Sequence, residues 1–421
     1  MSREMKYSGT DWIGEIPVQW ELAPTKRVFR GKKRIVGDEA DNYERLALTL
    51  NGVVKRTKDD NEGLQPEQFN NYQILEKNEL VFKLIDLQNI RTSRVGLSPY
   101  TGIVSPAYII LSNSETDNRF YYYWFMDMYN RCIFNQMGDD GVRSALNIKD
   151  VLEIPLPLIS ESTRIKIASF LDKKCSEIDE MIAMQEKIVE ELKAYKQSVI
   201  TEAVTKGLNP DVPMKDSGIE WIGEIPEHWK VDLLSLLFEE HKQKNTGLLC
   251  KNLLSLSYGK IVRKNIDSVG GLLPQSYDGY NIVDKGDIVF RLTDLQNDKK
   301  SLRTGLVRER GIVTSAYVTL RSRKPVLSAY YQYLFHSYDV MKVFYGMGDG
   351  VRQGMNYGDL RKMLIVTPPH SEQNEIVEFL DTKCTEIDNL ISIKLSKIDS
   401  LKEYKKSIIY EYVTGKKEVT E

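Results

Sequence analysis

The chain of 421 residues has few of the side chains on which metal sites and disulfide frameworks depend. It contains four cysteines and four histidines, and neither set has the spacing of metal ligands. The scattered cysteines indicate a reducing compartment, so we expect a cytoplasmic protein. Lys and Arg number 58 against 60 Asp and Glu, for a net charge of −2. Because the chain is no polycation, binding to nucleic acid has to rest on local basic clusters.

Long hydrophobic runs and cofactor motifs are also missing. The most aromatic segment, 120–129, is far shorter than the roughly 20 apolar residues that a membrane span needs. The glycine-rich segment 345–350 lacks the Lys-Ser/Thr pair of a phosphate-binding loop. No nucleophile stands in a recognisable pattern with a base. We therefore predict a chain with no catalytic residue, no metal and no cofactor of its own, and without a membrane role.

What the sequence does have is an internal repeat. FLDKKCSEID at 170–179 returns as FLDTKCTEID at 379–388, roughly 210 residues later. The other matching pairs are 8–20 with 217–229, 80–89 with 288–297, 102–108 with 311–317, and 192–205 with 401–414. The chain is therefore one unit used twice, and each unit is a globular part followed by a charged segment.

Each charged segment is predicted to be one long helix. Neither 170–206 nor 379–414 contains Pro or Gly, the residues that break helices. Apolar residues recur at helical spacing and form a narrow seam: Ile178, Ile182, Val189, Leu192 and Val199 in the first helix, and Ile387, Ile391, Leu395, Ile398, Leu401 and Ile408 in the second. At 1.5 Å per residue each helix is roughly 60 Å long. Two such seams are best buried against each other, so we expect an antiparallel coiled coil with a pseudo-twofold repeat.

The globular parts have a mixed composition. Alternating runs at 45–54, 79–84 and 102–111 predict strands, whereas 117–137 and 327–347 predict helices. Ser160 and Ser371 are candidate N-caps of the long helices. The predicted fold class is α+β, with two globular domains of mixed helix and strand joined by the paired helices. The predicted boundaries are a first domain at 1–159, a helix at 160–206, a linker at 207–216, a second domain at 217–370, a helix at 371–414 and a tail at 415–421.

Basic residues cluster at equivalent places in both halves and alternate with Asn and Gln, the residue types that pair with bases and phosphates. The candidate DNA-binding residues of the first half are Lys32, Lys33, Lys55, Arg56, Gln88, Asn89, Arg91, Arg94 and Arg143. Those of the second half are Lys260, Arg263, Lys264, Gln296, Asn297, Lys299, Lys300, Arg303 and Arg352. Charge runs in loops are often only solvated, but their recurrence favours a basic, DNA-facing surface.

These motifs resemble the specificity subunit of type I restriction-modification systems over essentially all 421 residues. They are WIGEIPxxW at the start of each half, a buried strand followed by DLQN, a GVR and Asn stretch, and FLDxKCxEID helices. The resemblance implies two target-recognition domains, each reading one half of a bipartite, asymmetric DNA sequence. It also implies two modification subunits that methylate adenine with S-adenosylmethionine, and restriction subunits that translocate and cleave DNA with ATP and Mg. The chain itself would be noncatalytic and bind double-stranded DNA.

Comparison of the two halves leads to further expectations about which residues read DNA. Residues kept in both copies, such as Arg56 with Arg263 and Arg143 with Arg352, are expected to be scaffold or phosphate contacts, and base reading is expected where the halves differ. Ile85 stands where the second half has Thr293, which leaves no common role for that hydroxyl.

Two alternatives to the restriction-modification specificity subunit are kept. One is a DNA-binding scaffold of the same build that serves methylation only, or a silent variant. The other is a stand-alone DNA enzyme.

Overall fold

The computed structural model describes residues 3–57, 68–85, 87, 94–137, 145–265, 276–293, 295, 302–346 and 354–419. The chain divides into two compact units. Unit 1 contains Met1–Gln185 with Ser396–Glu421, and unit 2 is Glu186–Leu395. Both divisions fall inside a long helix, so each unit contains a globular part and segments of both long helices. The predicted domain boundaries, drawn at the helix ends, stay predictions.

The globular part of unit 1 is built mainly from short strands. They are β1 (Met5–Tyr7), β2 (Glu15–Pro17), β3 (Glu21–Pro24), β4 (Arg30–Lys32), β5 (Arg45–Thr49), β6 (Gly52–Arg56), β7 (Gln73–Leu75), β8 (Leu80–Phe82), β9 (Val95–Leu97), β10 (Gly102–Val104), β11 (Ile109–Ser112) and β12 (Pro155–Leu158). The helices are α1 (Arg119–Asn130), α2 (Ile133–Met137), α3 (Ile148–Glu153) and the long α4 (Glu161–Lys206), with 3₁₀ turns at Thr25–Arg27 and Gly37–Asn42.

Two four-stranded sheets form the body of unit 1. One has the order β6-β5-β10-β7, in which β10 is parallel to β5 and antiparallel to β7. The other has the order β4-β11-β8-β9 and is antiparallel throughout. The pairs β1-β2 and β12-β3 complete the unit. Helix α1 is aromatic along most of its length and buries Phe120, Trp124 and Phe125 in the main core.

Unit 2 repeats this plan. Its strands are β13 (Met214–Asp216), β14 (Glu224–Pro226), β15 (Lys230–Leu233), β16 (Phe238–Glu240), β17 (Gln243–Lys244), β18 (Leu254–Ser257), β19 (Lys260–Arg263), β20 (Asn281–Val283), β21 (Ile288–Phe290), β22 (Thr304–Leu306), β23 (Gly311–Val313), β24 (Val318–Ser322) and β25 (Leu364–Thr367). The helices are α5 (Leu234–Leu237), α6 (Ser328–Val340), α7 (Tyr357–Leu360) and the long α8 (His370–Val413), with a 3₁₀ turn at Val343–Gly346.

The sheets of unit 2 follow the same order as those of unit 1. The order β16-β24-β21-β22 matches β4-β11-β8-β9. The order β17-β20-β23 continues into the β18-β19 hairpin through a parallel bridge between Leu253 and Ile312, just as β10 continues into β5-β6. The repeat predicted from sequence is therefore a repeat of topology, and the α+β fold class is confirmed.

The ends of the long helices are held by the repeated WIGEIPxxW motif. In unit 1, Ile409 and Val413 near the end of α8 are buried in the same core as Trp20. In unit 2, Val204 near the end of α4 is buried in the core of Trp229. Each helix is followed by a glycine with positive φ, Gly207 at +77° and Gly415 at +71°, the left-handed conformation that favours glycine at a helix C-terminus. Thus each globular part closes its core with the far end of a long helix.

Within each unit, segments of α4 and α8 run antiparallel. In unit 1, Lys405 Nζ lies 2.6 Å from an Asp179 carboxylate oxygen, and the tilted rings of Phe170 and Tyr412 are 4.4 Å apart between centroids. The partner number falls from 412 to 405 as the α4 number rises, which is the order of antiparallel chains. In unit 2, Lys196 pairs with Asp388 at 2.7 Å. The predicted antiparallel pairing is confirmed in both places.

Local expectations needed four corrections. The run 45–54 is not one strand, because a turn at residues 50–51 folds it into the β5-β6 hairpin. The run 102–111 is likewise two strands. Ser160 precedes α4 and accepts a hydrogen bond from the Thr163 N–H, as expected of an N-cap, but Ser371 lies inside α8, which begins at His370. Leu395, assigned to the apolar seam, is exposed.

Candidate nucleic-acid interface

The β5-β6 hairpin carries two of the predicted contact residues of unit 1. Lys55 is about half exposed, and its ammonium lies 2.5 Å from Glu44 Oε2 and 5.0 Å from the centre of the Tyr100 ring. The hydrogen bond to Glu44 raises the pKa of Lys55, so it is charged at neutral pH. Arg56 is partly exposed and stands opposite Arg45 on the neighbouring strand. This hairpin therefore keeps cations at the surface of the unit.

The β18-β19 hairpin is its counterpart in unit 2. Lys260 and Lys264 are exposed. Arg263 is also exposed and forms a bidentate pair with Glu309, in which Nε donates to Oε1 at 2.6 Å. The pair raises the pKa of Arg263 and lowers that of Glu309. Arg263 thus shares its charge with a carboxylate, whereas Lys260 and Lys264 extend the basic surface.

Lys32 is the last residue of strand β4 and Lys33 follows it, and the two side chains differ in exposure. The Lys32 ammonium donates to Glu76 and Glu79 at 2.8 Å each. Burial lowers the pKa of Lys32, but these two hydrogen bonds outweigh burial and the pKa is raised. Lys33 is exposed. Lys33 therefore presents its charge to solvent, whereas Lys32 is neutralised by two carboxylates.

Arg94 and Arg303 were expected on the basic surface, and this placement is wrong. Arg94 is 1% exposed and Arg303 is 0% exposed. The Arg94 guanidinium donates to the backbone carbonyls of Ile85 at 3.3 Å and Leu87 at 3.0 Å. Arg303 donates to the carbonyl of Thr293 at 2.8 Å. A guanidinium has five donors, which allows it to satisfy several buried carbonyls at once.

This buried arginine also accounts for the difference between Ile85 and Thr293. In both units the arginine binds the backbone oxygen at that position, so the contact tolerates a change of side chain. The position follows a core strand, β8 or β21, in each unit. We conclude that Arg94 and Arg303 support the fold from the inside at the point where each core strand ends.

The other predicted contact residues lie outside the residues that the structure describes and stay predictions. They are Gln88, Asn89, Arg91, Arg143, Gln296, Asn297, Lys299, Lys300 and Arg352.

Side chains of the recurring FLDxKCxEID motif line a recess of about 480 Å³ in unit 1. Asp172 accepts a hydrogen bond from the Tyr123 hydroxyl at 2.8 Å, and Asp179 pairs with Lys405. Cys175 is buried beside them, and burial raises the pKa of its thiol to about 11. A thiol with this pKa is protonated at neutral pH and is a poor nucleophile. The motif therefore connects helix α1 and the two long helices.

Unit 2 has the same arrangement around a recess of about 690 Å³. Asp381 accepts from the Tyr333 hydroxyl at 2.7 Å, and Asp388 pairs with Lys196 at 2.7 Å. Burial raises the pKa of the Cys384 thiol as well. Sequence analysis found the motif but not this role, because its partners Tyr123 and Tyr333 lie in segments that were predicted only as helices.

One group of side chains has the composition of a metal site. His241, Asp284 and Asp287 in unit 2 each place a ligand atom within 4.8 Å of the others. The Arg321 guanidinium lies 2.8 Å from Asp284 and 2.7 Å from Asp287, and Arg310 pairs with Asp284 at 2.9 Å. Both carboxylates are thus already bound to arginine, which a cation would have to displace. Sequence spacing missed the group because its members come together only in the folded unit.

Among the described residues, no helix combines the length and the apolar composition that crossing a membrane requires.

The fold of the chain, one topology used twice with paired long-helix segments in each unit, has a counterpart among known structures. No family model matches the chain. It is 27% identical over 274 residues to the putative type I restriction enzyme MjaX specificity subunit of Methanocaldococcus jannaschii. It is 26% identical over 282 residues to the type I restriction enzyme MjaVIII specificity subunit of the same organism.

Each match covers 63% of this chain, and the chain spans 59% and 62% of the length of these curated relatives. Among solved structures, one described as the structural basis underlying complex assembly and conformational transition of the type I R-M system has a TM-score of 0.69. That alignment has 14% identity and covers 96% of this chain and 99% of the other. The chain is therefore similar in sequence to type I restriction enzyme specificity subunits and has the fold of a type I R-M chain.

Proposed function

We propose that the chain is the sequence-specific DNA-binding subunit of a type I restriction-modification complex. Each unit reads one half of a bipartite, asymmetric target in double-stranded DNA. The observation that carries this proposal is the repeat of one topology with different side chains on equivalent basic hairpins, β5-β6 and β18-β19. Two recognition surfaces of the same topology and different chemistry suit a target with two unlike halves.

The reactions belong to partners in this proposal. Two modification subunits methylate adenine with S-adenosylmethionine, and restriction subunits cleave DNA with ATP and Mg. The chain supplies recognition and works on DNA in the cytoplasm. The protonated thiols of Cys175 and Cys384 and the arginine-bound carboxylates of Asp284 and Asp287 agree with a noncatalytic role, since none of them is free to act as nucleophile or base.

Methylome sequencing tests the proposal directly. Cells that carry the chain with its neighbouring genes are expected to show adenine methylation at one bipartite, asymmetric motif, and deletion of the chain's gene should abolish it. Methylation that survives the deletion, or that falls on a continuous palindrome, contradicts the proposal. The purified chain alone should transfer no radiolabelled methyl group and cut no DNA, and either activity would establish the alternative of a stand-alone enzyme.

A second comparison separates restriction from a methylation-only scaffold. Unmodified phage DNA should be cleaved when restriction subunits are co-expressed with the chain and its modification subunits. If methylation is intact and cleavage is absent with every partner present, the chain serves methylation only.

A further inference from the structure

An equivalent carboxylate has different partners in the two units. In unit 1, Asp172 accepts a hydrogen bond from the Tyr123 hydroxyl and a second one, at 2.7 Å, from Nη1 of Arg119. Asp117 holds the same guanidinium from another side, with its Oδ2 2.8 Å from Nε. The carboxylate of Asp172 is thus satisfied by a hydroxyl and a cation of its own unit.

Unit 2 keeps the hydroxyl and has no counterpart of the arginine. Asp381 accepts from the Tyr333 hydroxyl at 2.7 Å, but it is exposed and forms no ion pair with any residue that the structure describes. Ala329 lies four residues before this tyrosine, which is the place that Arg119 occupies in unit 1. A carboxylate that unit 1 neutralises internally is therefore left to solvent in unit 2.

The alanine also leaves space in front of this carboxylate. In unit 1, a recess of about 370 Å³ at the start of α1 is lined by Arg119 but not by Asp172. The equivalent recess of unit 2 has a volume of about 450 Å³, is lined by Ala329 and reaches Asp381. Apolar side chains such as Leu327 form part of its wall. A partly apolar recess that ends at a carboxylate fits the methylene stem and the guanidinium of an arginine.

Two cations at the same recess restrict the ligand further. Lys285 and Arg308 line it and are exposed, and neither forms an ion pair with a described residue. Lys285 has a counterpart in Lys77 of unit 1. These charges repel a lone cation, so the ligand has to bring a carboxylate as well. A protein segment with Asp or Glu beside an arginine meets this requirement, because its arginine can reach Asp381 while its carboxylate faces Arg308.

We propose that an arginine of a partner subunit enters the recess of unit 2 and pairs with Asp381, as Arg119 pairs with Asp172 in unit 1. The inference rests on the proposed function and deepens it, because it names a contact between this chain and another protein of the complex. Arginine is enriched in protein interfaces, where its planar guanidinium binds carboxylates with defined geometry. Since unit 1 fills its own site, the contact makes the two units unequal toward their partners.

Photo-crosslinking tests which molecule lies at the recess. A benzophenone amino acid replaces Lys285 in the full chain, which is co-expressed with its modification and restriction subunits and mixed with DNA. Lys77, exposed at the equivalent recess of unit 1, is the matched control position. Adducts from position 285 that map to an arginine-containing peptide of a partner subunit, and exceed those from position 77, support the proposal. Adducts with DNA only, equal adducts at both positions or no adducts overturn it.

Asp381→Asn and Asp172→Asn separate partner binding from folding. Asparagine still accepts from the tyrosine hydroxyl but carries no charge. Asp381→Asn should leave the melting temperature of the chain unchanged and weaken its affinity for the partner about tenfold, the loss expected for one charge pair at an interface. Asp172→Asn should lower the melting temperature and leave the affinity unchanged, because its arginine is internal. Mass photometry of the diluted complex provides the affinities.

The contrary results of this pair are equally definite. Full partner affinity in Asp381→Asn overturns the inference. If Asp381→Asn lowers the melting temperature as much as Asp172→Asn does, Arg308 serves as an internal partner and the inference is also wrong. Ala329→Arg, which copies unit 1, should fill the recess, keep or raise the melting temperature, and weaken partner binding like Asp381→Asn. If the wild-type complex directs no bipartite methylation, the proposed function itself fails, which is a separate outcome.

Discussion

Replacing Gly415 with alanine tests how the WIGEIPxxW motif holds the end of α8. A Cβ at this residue would lie 2.6 Å from Cγ of Pro17 and 2.9 Å from Cη2 of Trp20, two rings that cannot move aside cheaply. A left-handed alanine costs about 1–2 kcal/mol, and overpacking adds about 1–3 kcal/mol. We therefore expect Gly415→Ala to lower the free energy of unfolding by about 2–5 kcal/mol.

Two other glycines of the chain serve as controls for the backbone cost and for the overpacking cost. At Gly9 φ is +80° and a Cβ would meet no atom within 4 Å, so Gly9→Ala measures the backbone term alone. At Gly207 a Cβ would lie 3.2 Å from the ring of Trp229, a milder approach, so Gly207→Ala should fall between the other two. Urea unfolding followed by tryptophan fluorescence provides the three values. An equal loss for Gly415→Ala and Gly9→Ala would show that Trp20 and Pro17 do not hold the helix end.

Three further predictions use other described contacts. Burial lowers the pKa of His336 from 6.5 to about 4. Between these two pH values the imidazole is protonated in the unfolded chain and neutral in the folded chain. The free energy of unfolding should therefore fall by at most about 3 kcal/mol as the pH drops from 6.5 to 4. His336→Met, which copies Met126 of unit 1, should remove that component in urea titrations at pH 7 and pH 4.5. Arg94→Met should cost about 1–3 kcal/mol, because it removes the donor to the Ile85 carbonyl and leaves the Leu87 carbonyl with the Asn135 amide alone. Methylome sequencing should show weaker recognition of one half-site only. Lys405→Met should cost less than about 1 kcal/mol in the same unfolding assay, because its partner Asp179 is more than half exposed.

Each of these has an outcome that contradicts its reasoning. A pH profile unchanged by His336→Met would assign the acid sensitivity to other groups. Equal weakening of both half-sites by Arg94→Met would mean that the arginine supports the whole chain rather than unit 1. A loss of several kcal/mol for Lys405→Met would show that the ion pair is far less screened by solvent than its exposure indicates.

The repeat carried most of the fold prediction. Because the same motifs recur in order, both copies were expected to fold alike, and the sheet orders agree. The long helices were predictable because they contain neither Pro nor Gly and their apolar residues keep helical spacing. The turn at Leu50 and Asn51 was missed, because this pair lacks the glycine-containing signal of a two-residue hairpin, and the adjacent Gly52 with φ +84° was taken as part of the strand.

The candidate site was less predictable, because composition does not distinguish a cation that faces solvent from one that is neutralised inside. Lys32 and Arg263 are bound by carboxylates, and Arg94 and Arg303 are bound by carbonyls. These partners lie close in space after folding, whereas only the cations were visible as clusters in the sequence. Identity between the two halves would have been the better signal for Arg94 and Arg303, since both copies keep them.

Identity or difference between the two halves also separates structural positions from candidate recognition positions. Where the halves keep a residue, its described role is structural: Asn147 and Asn356 each form a capping box at the start of a short helix, and Arg94 and Arg303 each bind a carbonyl beside a core strand. Where the two halves have the same backbone conformation but different side chains, folding does not require the difference. Recognition of a ligand is then the remaining reason for the difference between the two side chains.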